Sequence, residues 1–186
     1  ELGYQQSLCL NIAVTGTNGK TTTSQIIEKV LRQGYRKTAF SDEAHAPLTS
    51  LVAQTKELDF LTLEVSSFQL EHTKFFRPTI AVLLNLAADH LDRYADMAEY
   101  VQTNARLFTN QQQFDWAIVQ SEALAQMRSM DLPMPAKVIT FSANNRRADI
   151  FLDRSLIVSR LEGWAGPLLD MEKCQIRGPH NAESFM

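Results

Sequence analysis

Short apolar runs rich in β-branched residues recur along the chain, separated by stretches whose apolar residues follow a helical spacing. Six runs read as strands, Leu10–Val14, Lys37–Phe40, Phe60–Val65, Ile80–Asn85, Trp116–Gln120 and Val138–Phe141. Between them the spacing predicts helices at Thr21–Gln33, Leu48–Thr55, Met97–Thr109 and Glu122–Met130, the last stopped by Pro133 and Pro135. Runs apolar on both sides belong in a sheet covered on both faces, and their alternation with helices makes crossover units between parallel strands. The fold class expected is therefore α/β, a mostly parallel P-loop-type sheet flanked by helices. From Ile150 to Gln175 the pattern shifts to shorter extended pieces such as Leu156-Ile157-Val158, punctuated by Gly163, Gly166 and Pro167. That shift predicts a small antiparallel addition near the C-terminus.

No repeat, low-complexity tract or linker interrupts residues 1–186, so one domain is expected. Both ends read as cut. The first strand begins within about ten residues, and Pro179 to Met186 stops as a helix starts, which makes a fragment of a longer protein the expectation. The 186 residues are 45% hydrophobic, enough for a substantial core, and their net charge of −3 gives no basic field for nucleic acid. No apolar run approaches a membrane span and Glu1-Leu2-Gly3-Tyr4 does not open a secretory signal, so a cytoplasmic chain without membrane contact is expected. Cys9 and Cys174 have no metal-ligand spacing and read as incidental thiols. With no coiled-coil pattern, a monomer is expected.

The chemistry gathers at three strand ends, where open parallel sheets collect their ligands. After the first strand comes Thr15-Gly16-Thr17-Asn18-Gly19-Lys20-Thr21-Thr22, followed by a helix. Glycines let backbone amides curl round an anion while the helix aims its first-turn amides and positive dipole end at the same point. Lys20 then meets the β- and γ-phosphates, and the Thr21 hydroxyl meets a bound Mg²⁺. The strict pattern asks for glycine where Val14 stands, and a plain strand-to-helix turn of small residues is the alternative.

The second cluster is Glu64-Val65-Ser66-Ser67-Phe68-Gln69-Leu70-Glu71. Glu64 can hold Mg²⁺, directly or through water, because that ion takes a few hard oxygens alongside phosphate. Alternatively it caps the next helix together with Ser66 or Ser67, and Glu71 is expected as a solvated helix residue. The third cluster is Asn85-Leu86-Ala87-Ala88-Asp89-His90-Leu91-Asp92-Arg93-Tyr94. There His90 is a candidate metal ligand through a neutral imidazole nitrogen, against a structural role for a lone histidine.

Taken in this order, the three clusters resemble the Mur ligase family of ATP-dependent enzymes, over about Asn11 to Ser184. Glu64-Val65-Ser66-Ser67-Phe68-Gln69 is similar to the branch that adds D-glutamate, and Arg177-Gly178-Pro179-His180-Asn181 matches a Gly-x-His-Asn motif whose Asn contacts adenine. The resemblance implies a central ATPase domain, with N-terminal uridine-nucleotide and C-terminal amino-acid domains elsewhere in the intact enzyme. It implies ATP and Mg²⁺ as cofactors, with UDP-N-acetylmuramoyl-L-alanine and D-glutamate as small-molecule substrates. By the same resemblance Lys20, Glu64 and His90 are catalytic, Thr21 and Glu64 hold one metal, and His90 a second. Residues 15 to 22 with His180 and Asn181 bind nucleotide.

The resemblance breaks at several positions. The family carries a carbamylated lysine, a ligand bridge to the second metal, where this chain has Asn104. Its Gly-Asn-x-Gly loop is replaced by Asp42-Glu43-Ala44-His45, and a second Asn expected after Asn181 is Ser184. These changes leave open a nucleotide-binding module without ligase chemistry, and a different carboxylate–amine ligase. If Glu43 or His45 replaces the missing ligand, Asn104→Lys changes activity little.

Overall fold

The computed structural model describes residues 1–42, 46–88, 93–175 and 178–186, the side chains of Pro179 and His180 excepted. After a short helix α1 (Leu2–Gln5) the chain enters β1 (Leu10–Thr15), α2 (Lys20–Gln33) and β2 (Thr38–Ser41). One turn of helix, α3 (Leu48–Leu51), tightens into a 3₁₀ segment at Val52–Glu57 before β3 (Phe60–Glu64) and α4 (Ser67–Glu71). Next come β4 (Ile80–Leu83), α5 (Met97–Ala105), β5 (Trp116–Gln120), α6 (Ser121–Ser129) and β6 (Lys137–Ser142). The chain closes with β7 (Ile150–Asp153), β8 (Leu156–Ser159), β9 (Gly166–Asp170) and α7 (Pro179–Phe185).

Among the described residues the strands form one nine-stranded sheet, in the order β2-β3-β1-β4-β5-β6-β7-β8-β9. Every pairing from β2 through β7 is parallel, and β8 runs antiparallel to β7 and β9. The expected parallel sheet with its antiparallel addition is thus borne out. Gly166 and Pro167 do not separate extended pieces as expected. They begin β9, the last strand in the order, where a residue without an N–H costs no ladder bond on the open side.

Alternation along the central strands explains burial on both faces. On β1, Ala13 packs into a core with Leu61, Leu83, Tyr100, Phe108 and Met127, while its neighbours Ile12 and Val14 point to the opposite core with Val82, Phe141 and Ile157. Helix α2 serves that second face through Ile27 and Leu31. The first face takes α4, α5 and α6, with Leu70, Tyr100, Val101 and Leu124 in its core. The predicted helix over 48–55 is split, because Thr55 turns its hydroxyl onto Val52 O at 2.7 Å and accepts from Leu8 N at 3.2 Å. Helix α5 ends at Ala105, short of the expected Thr109, and runs out through turns as far as Asn110.

At the entry to β5 the fold is tied by a buried carboxylate. Asp115 accepts from Arg77 Nε at 2.8 Å, Arg77 Nη2 at 3.1 Å and Gln112 N at 2.7 Å. The Asp115 carboxylate holds the Arg77 guanidinium above its ordinary pKa. Cys9 and Cys174 are half-buried thiols not joined in a disulfide, and among the described residues no helix is long and apolar enough to cross a membrane.

For the site, the decisive feature is the place of β1. Its neighbours are β3 and β4, so the chain crosses from one side of β1 to the other between them and leaves a crevice at their carboxyl ends. The register sets Val14 beside Glu64 and Val82, which brings the second cluster next to the phosphate loop.

Candidate functional site

The loop after β1 is held by strand β4's continuation rather than by its own residues alone. Thr17 N donates to Asn85 O at 3.0 Å, Asn18 N donates to the Asn85 side-chain oxygen at 2.9 Å, and Asn85 Nδ2 returns a bond to Asn18 O at 2.9 Å. At Gly16, φ is +140°, and an added Cβ would lie 3.1 Å from Asn85 N, Asn85 O and Leu84 Cβ. Only glycine lets the loop approach so closely. Gly19 stands at the N-cap of α2 with φ +89° and supplies no side-chain cap, which leaves the first turn of a 14-residue helix open to an anion.

Lys20 folds back over this loop, donating to Gly16 O at 2.9 Å and Thr17 O at 3.2 Å. Its cation is therefore fixed beside the open amides. Thr21 donates its hydroxyl to Glu64 Oε2 at 2.9 Å. Glu64 does not cap the following helix. Ser66 does, accepting from Gln69 N at 3.3 Å while the Gln69 side chain accepts from Ser66 N at 2.9 Å in a capping box.

A cleft of about 450 Å³ opens beside the loop, lined by Asn18, Gly19, Thr22, Asn85, Asn181 and Ser184. The structure thus gathers Thr15 through Thr22, Glu64 and Asn181 at the carboxyl ends of the inner strands. His90 and its neighbours Asp89 and Asp92 lie outside the described residues, as do Glu43, His45 and Arg177; the side chain of His180 does too.

The chemistry of the donors fits an anion with an accompanying hard cation. Fixed amides and an ammonium suit phosphate, and the Thr21–Glu64 oxygen pair suits Mg²⁺ shared with phosphate oxygens. Among the described residues no three His, Cys, Asp or Glu side chains gather as a metal site.

Behind the loop, Asn104 is fully buried. Its Oδ1 accepts from the Thr15 hydroxyl at 3.1 Å and its Nδ2 donates to Tyr100 O at 2.9 Å. One helical turn earlier, the Tyr100 hydroxyl shares a hydrogen bond with the Thr17 hydroxyl at 3.1 Å, and Thr17 Oγ1 also accepts from Ala87 N at 3.0 Å. Helix α5 therefore pins the loop at two points. Asn104→Leu keeps the branched outline but adds bulk and strands the buried Thr15 hydroxyl, and is expected to cost at least about 1–2 kcal/mol of unfolding free energy. Urea denaturation checks this, and an unchanged midpoint and slope would mean the Thr15–Asn104 bond carries no net stability.

Glu71 is not the solvated residue its position suggested. It accepts from Arg93 Nη2 at 3.0 Å and from the Tyr94 hydroxyl at 2.6 Å. The Arg93 bond first, then the Tyr94 bond, holds its carboxyl below the ordinary carboxylate range. Burial, then the same Glu71 bond, pushes the Tyr94 phenol up to about 12. Phe68 stacks on Tyr94 with ring centroids 6.2 Å apart, and the Arg93 guanidinium lies 4.5 Å over Phe68. Through these contacts α4 and the segment entering α5 brace each other on the first face of the sheet.

Asn85, Tyr100 and Asn104 support the loop, yet sequence reasoning gave Asn85 and Tyr100 no role. Asn85 had a signal, as a polar residue at the end of an apolar strand run. Tyr100 had none, since its contact spans 83 residues.

Residues 14–182 match the family profile described as the Mur ligase middle domain. The UDP-N-acetylmuramoylalanine–D-glutamate ligase of Pelotomaculum thermopropionicum is 34% identical over 188 residues, covering 100% of this chain and 41% of its own. The same-named ligase of Syntrophotalea carbinolica is 38% identical over 176 residues, 94% of this chain and 38% of its own. The chain thus spans about two fifths of the length of these curated relatives. Among solved structures, a UDP-N-acetylmuramoyl-L-alanyl-D-glutamate–2,6-diaminopimelate ligase superposes with TM-score 0.72 at 25% identity, over 95% of this chain and 41% of that one. E. coli FolC in complex with DHPP and ADP shares the fold, with TM-score 0.67 at 16% identity over 98% of this chain and 53% of that one.

Proposed function

The chain belongs to the Mur ligase family, and from that premise we propose that it is the central ATPase domain of an enzyme that joins D-glutamate to UDP-N-acetylmuramoyl-L-alanine. The observation that carries this reading is the convergence of Lys20, Thr21 and Glu64 at the carboxyl end of β1, beside the cleft that Asn181 lines. The relatives of the same branch support the choice of amino acid. Uridine-nucleotide and amino-acid recognition then belong to parts of the whole protein outside these residues.

ATP enters as a substrate. The loop amides and Lys20 bind and orient its β- and γ-phosphates, while Asn181 meets the adenine in the cleft. Thr21 and Glu64 would hold Mg²⁺, which would neutralise phosphate charge. A substrate carboxylate oxygen bonds to the γ-phosphorus as the bond from that phosphorus to the ADP oxygen breaks, giving an acyl phosphate and ADP. The amine of D-glutamate then bonds to the acyl carbon, phosphate leaves with the electron pair of the broken C–O bond, and the amine nitrogen gives up a proton. Carboxylate is a poor electrophile, and phosphorylation gives it a leaving group. In the first step Lys20 has charge to stabilise and groups to align, since phosphoryl transfer asks little covalent work of a protein.

Isotope transfer tests the acyl phosphate directly. With the L-alanyl carboxylate labelled by ¹⁸O, one labelled oxygen is expected in each released phosphate, and unlabelled phosphate would sink the mechanism. A second reading, a nucleotide-binding module that has lost ligase chemistry, is favoured by Asn104, a neutral and fully buried amide at the position where the family pattern has a lysine.

A further inference from the structure

Helix α7 has seven residues, too few to hold a helical shape unaided, yet it carries Asn181, Glu183 and Ser184 to the rim of the cleft. Packing of Ala182 and Phe185 seats it on the second core, and one polar side chain ties it to the sheet. Glu183 Oε2 accepts from Gln120 Nε2 at 2.9 Å, and Glu183 Oε1 accepts from Ala143 N at 3.1 Å. Gln120 is the last residue of β5, and Ala143 follows the last residue of β6. The two carboxylate oxygens therefore grip the ends of two neighbouring strands.

The grip is made on rigid ground. Ser142, next to Ala143, is fully buried; it donates to Glu122 Oε1 at 2.8 Å and accepts from Asn144 N and Asn145 N, each at 3.0 Å. The turn that offers Ala143 N is thus itself fixed at its base. On α7, Ala182 is fully buried in the second core, so the helix is seated by packing there and oriented by Glu183, the next residue. Asn18, Gly19 and Thr22 of the phosphate loop and first helix turn line the same cleft.

We propose that Glu183 is a positioning residue for the nucleoside half of the nucleotide. Its carboxylate bridges β5 and β6 to hold α7, and with it Asn181, at a fixed distance from the phosphate loop. The inference rests on the reading of this cleft as the nucleotide site. It assigns the two halves of the ligand to separate supports: the phosphates to the β1 loop braced by Asn85, the nucleoside to α7 braced by Glu183.

Isothermal titration of the full-length protein with ATP and with inorganic tripolyphosphate separates those supports. Glu183→Ala is expected to weaken ATP binding about tenfold while leaving tripolyphosphate binding within about twofold of the parent protein. Glu183→Gln should stay within about threefold for both, because an amide oxygen still accepts from Ala143 N and Gln120 can turn its own oxygen to the new NH₂. Unchanged ATP affinity in Glu183→Ala would overturn the inference, and so would an equal loss of ATP and tripolyphosphate binding, which marks general damage. If the folded parent protein binds tripolyphosphate but gains nothing from the nucleoside, the cleft reading itself fails and the inference goes with it.

Discussion

Lys20→Ala is expected to lower ATP-dependent phosphate release by about 10³-fold, roughly 4 kcal/mol of transition-state stabilisation. The ammonium is held over the phosphate loop by Gly16 O and Thr17 O, and under the proposed function its charge lies where negative charge moves from the γ-phosphate to the ADP oxygen. A neutral methyl group leaves the loop amides in place but removes the only loop side chain that carries a cation. The loss should fall mainly on kcat, because amides and the nucleoside cleft still bind the ground state. Lys20 is only half-buried, so the thermal unfolding midpoint should move little. Steady-state assays with a thermal melt on the same sample check both statements, and a parent-like kcat would remove Lys20 from the machinery.

The second large effect is expected from Gly16→Val. Backbone at φ +140° is a conformation that L side chains rarely adopt, and a Cβ there would press on Asn85 N, Asn85 O and Leu84 Cβ at 3.1 Å. Backbone and a strand-end residue cannot retreat as a flexible side chain would, so the loop must move instead. The strain should cost about 2 kcal/mol of stability. Displacing the loop from Asn85 should also weaken ATP binding by about 100-fold, since several amides lose their common focus. Titration calorimetry reads the affinity and chemical denaturation the stability; parent-like values for both would show that the close approach to Asn85 is not required.

How far the sequence predicts this site depends on how far apart the contributing residues lie. The β1–loop–α2 unit was legible because glycines, lysine and threonines of one contiguous run dictate it, and the structure differs from the expected helix start by a single residue, Lys20 for Thr21. Glu64 was legible as a carboxylate at a strand end, but its pairing with Thr21 came from the family resemblance and not from the residues around it. Only the pairing of β1 with β3 brings it to the Thr21 hydroxyl, and nothing in residues 60–71 encodes that neighbour. The capping alternative was decided locally, by Gln69, whose side chain satisfies Ser66 N and so frees Glu64.

Support from a distance was the illegible part. Asn104 stood out as an uncharged residue where the resemblance asks for lysine, yet its bond to Thr15 crosses 89 residues and depends on how α5 lies against β1. Glu183 reads in sequence as one more charge on a terminal helix. Its value appears only where β5 and β6 end side by side. Glu71 likewise looked solvated until the chain returned Arg93 and Tyr94 to it. In each case a polar side chain is assigned by the sheet order, which periodicity does not fix.

The ligase reading is tested most directly by phosphate release from ATP in the full-length protein with Mg²⁺, adding UDP-N-acetylmuramoyl-L-alanine and D-glutamate separately and together. Sustained release only when both are present, with formation of the amide, is the expected result. Nucleotide binding with no substrate-dependent turnover would contradict the ligase reading and identify a binding module built on the same sheet.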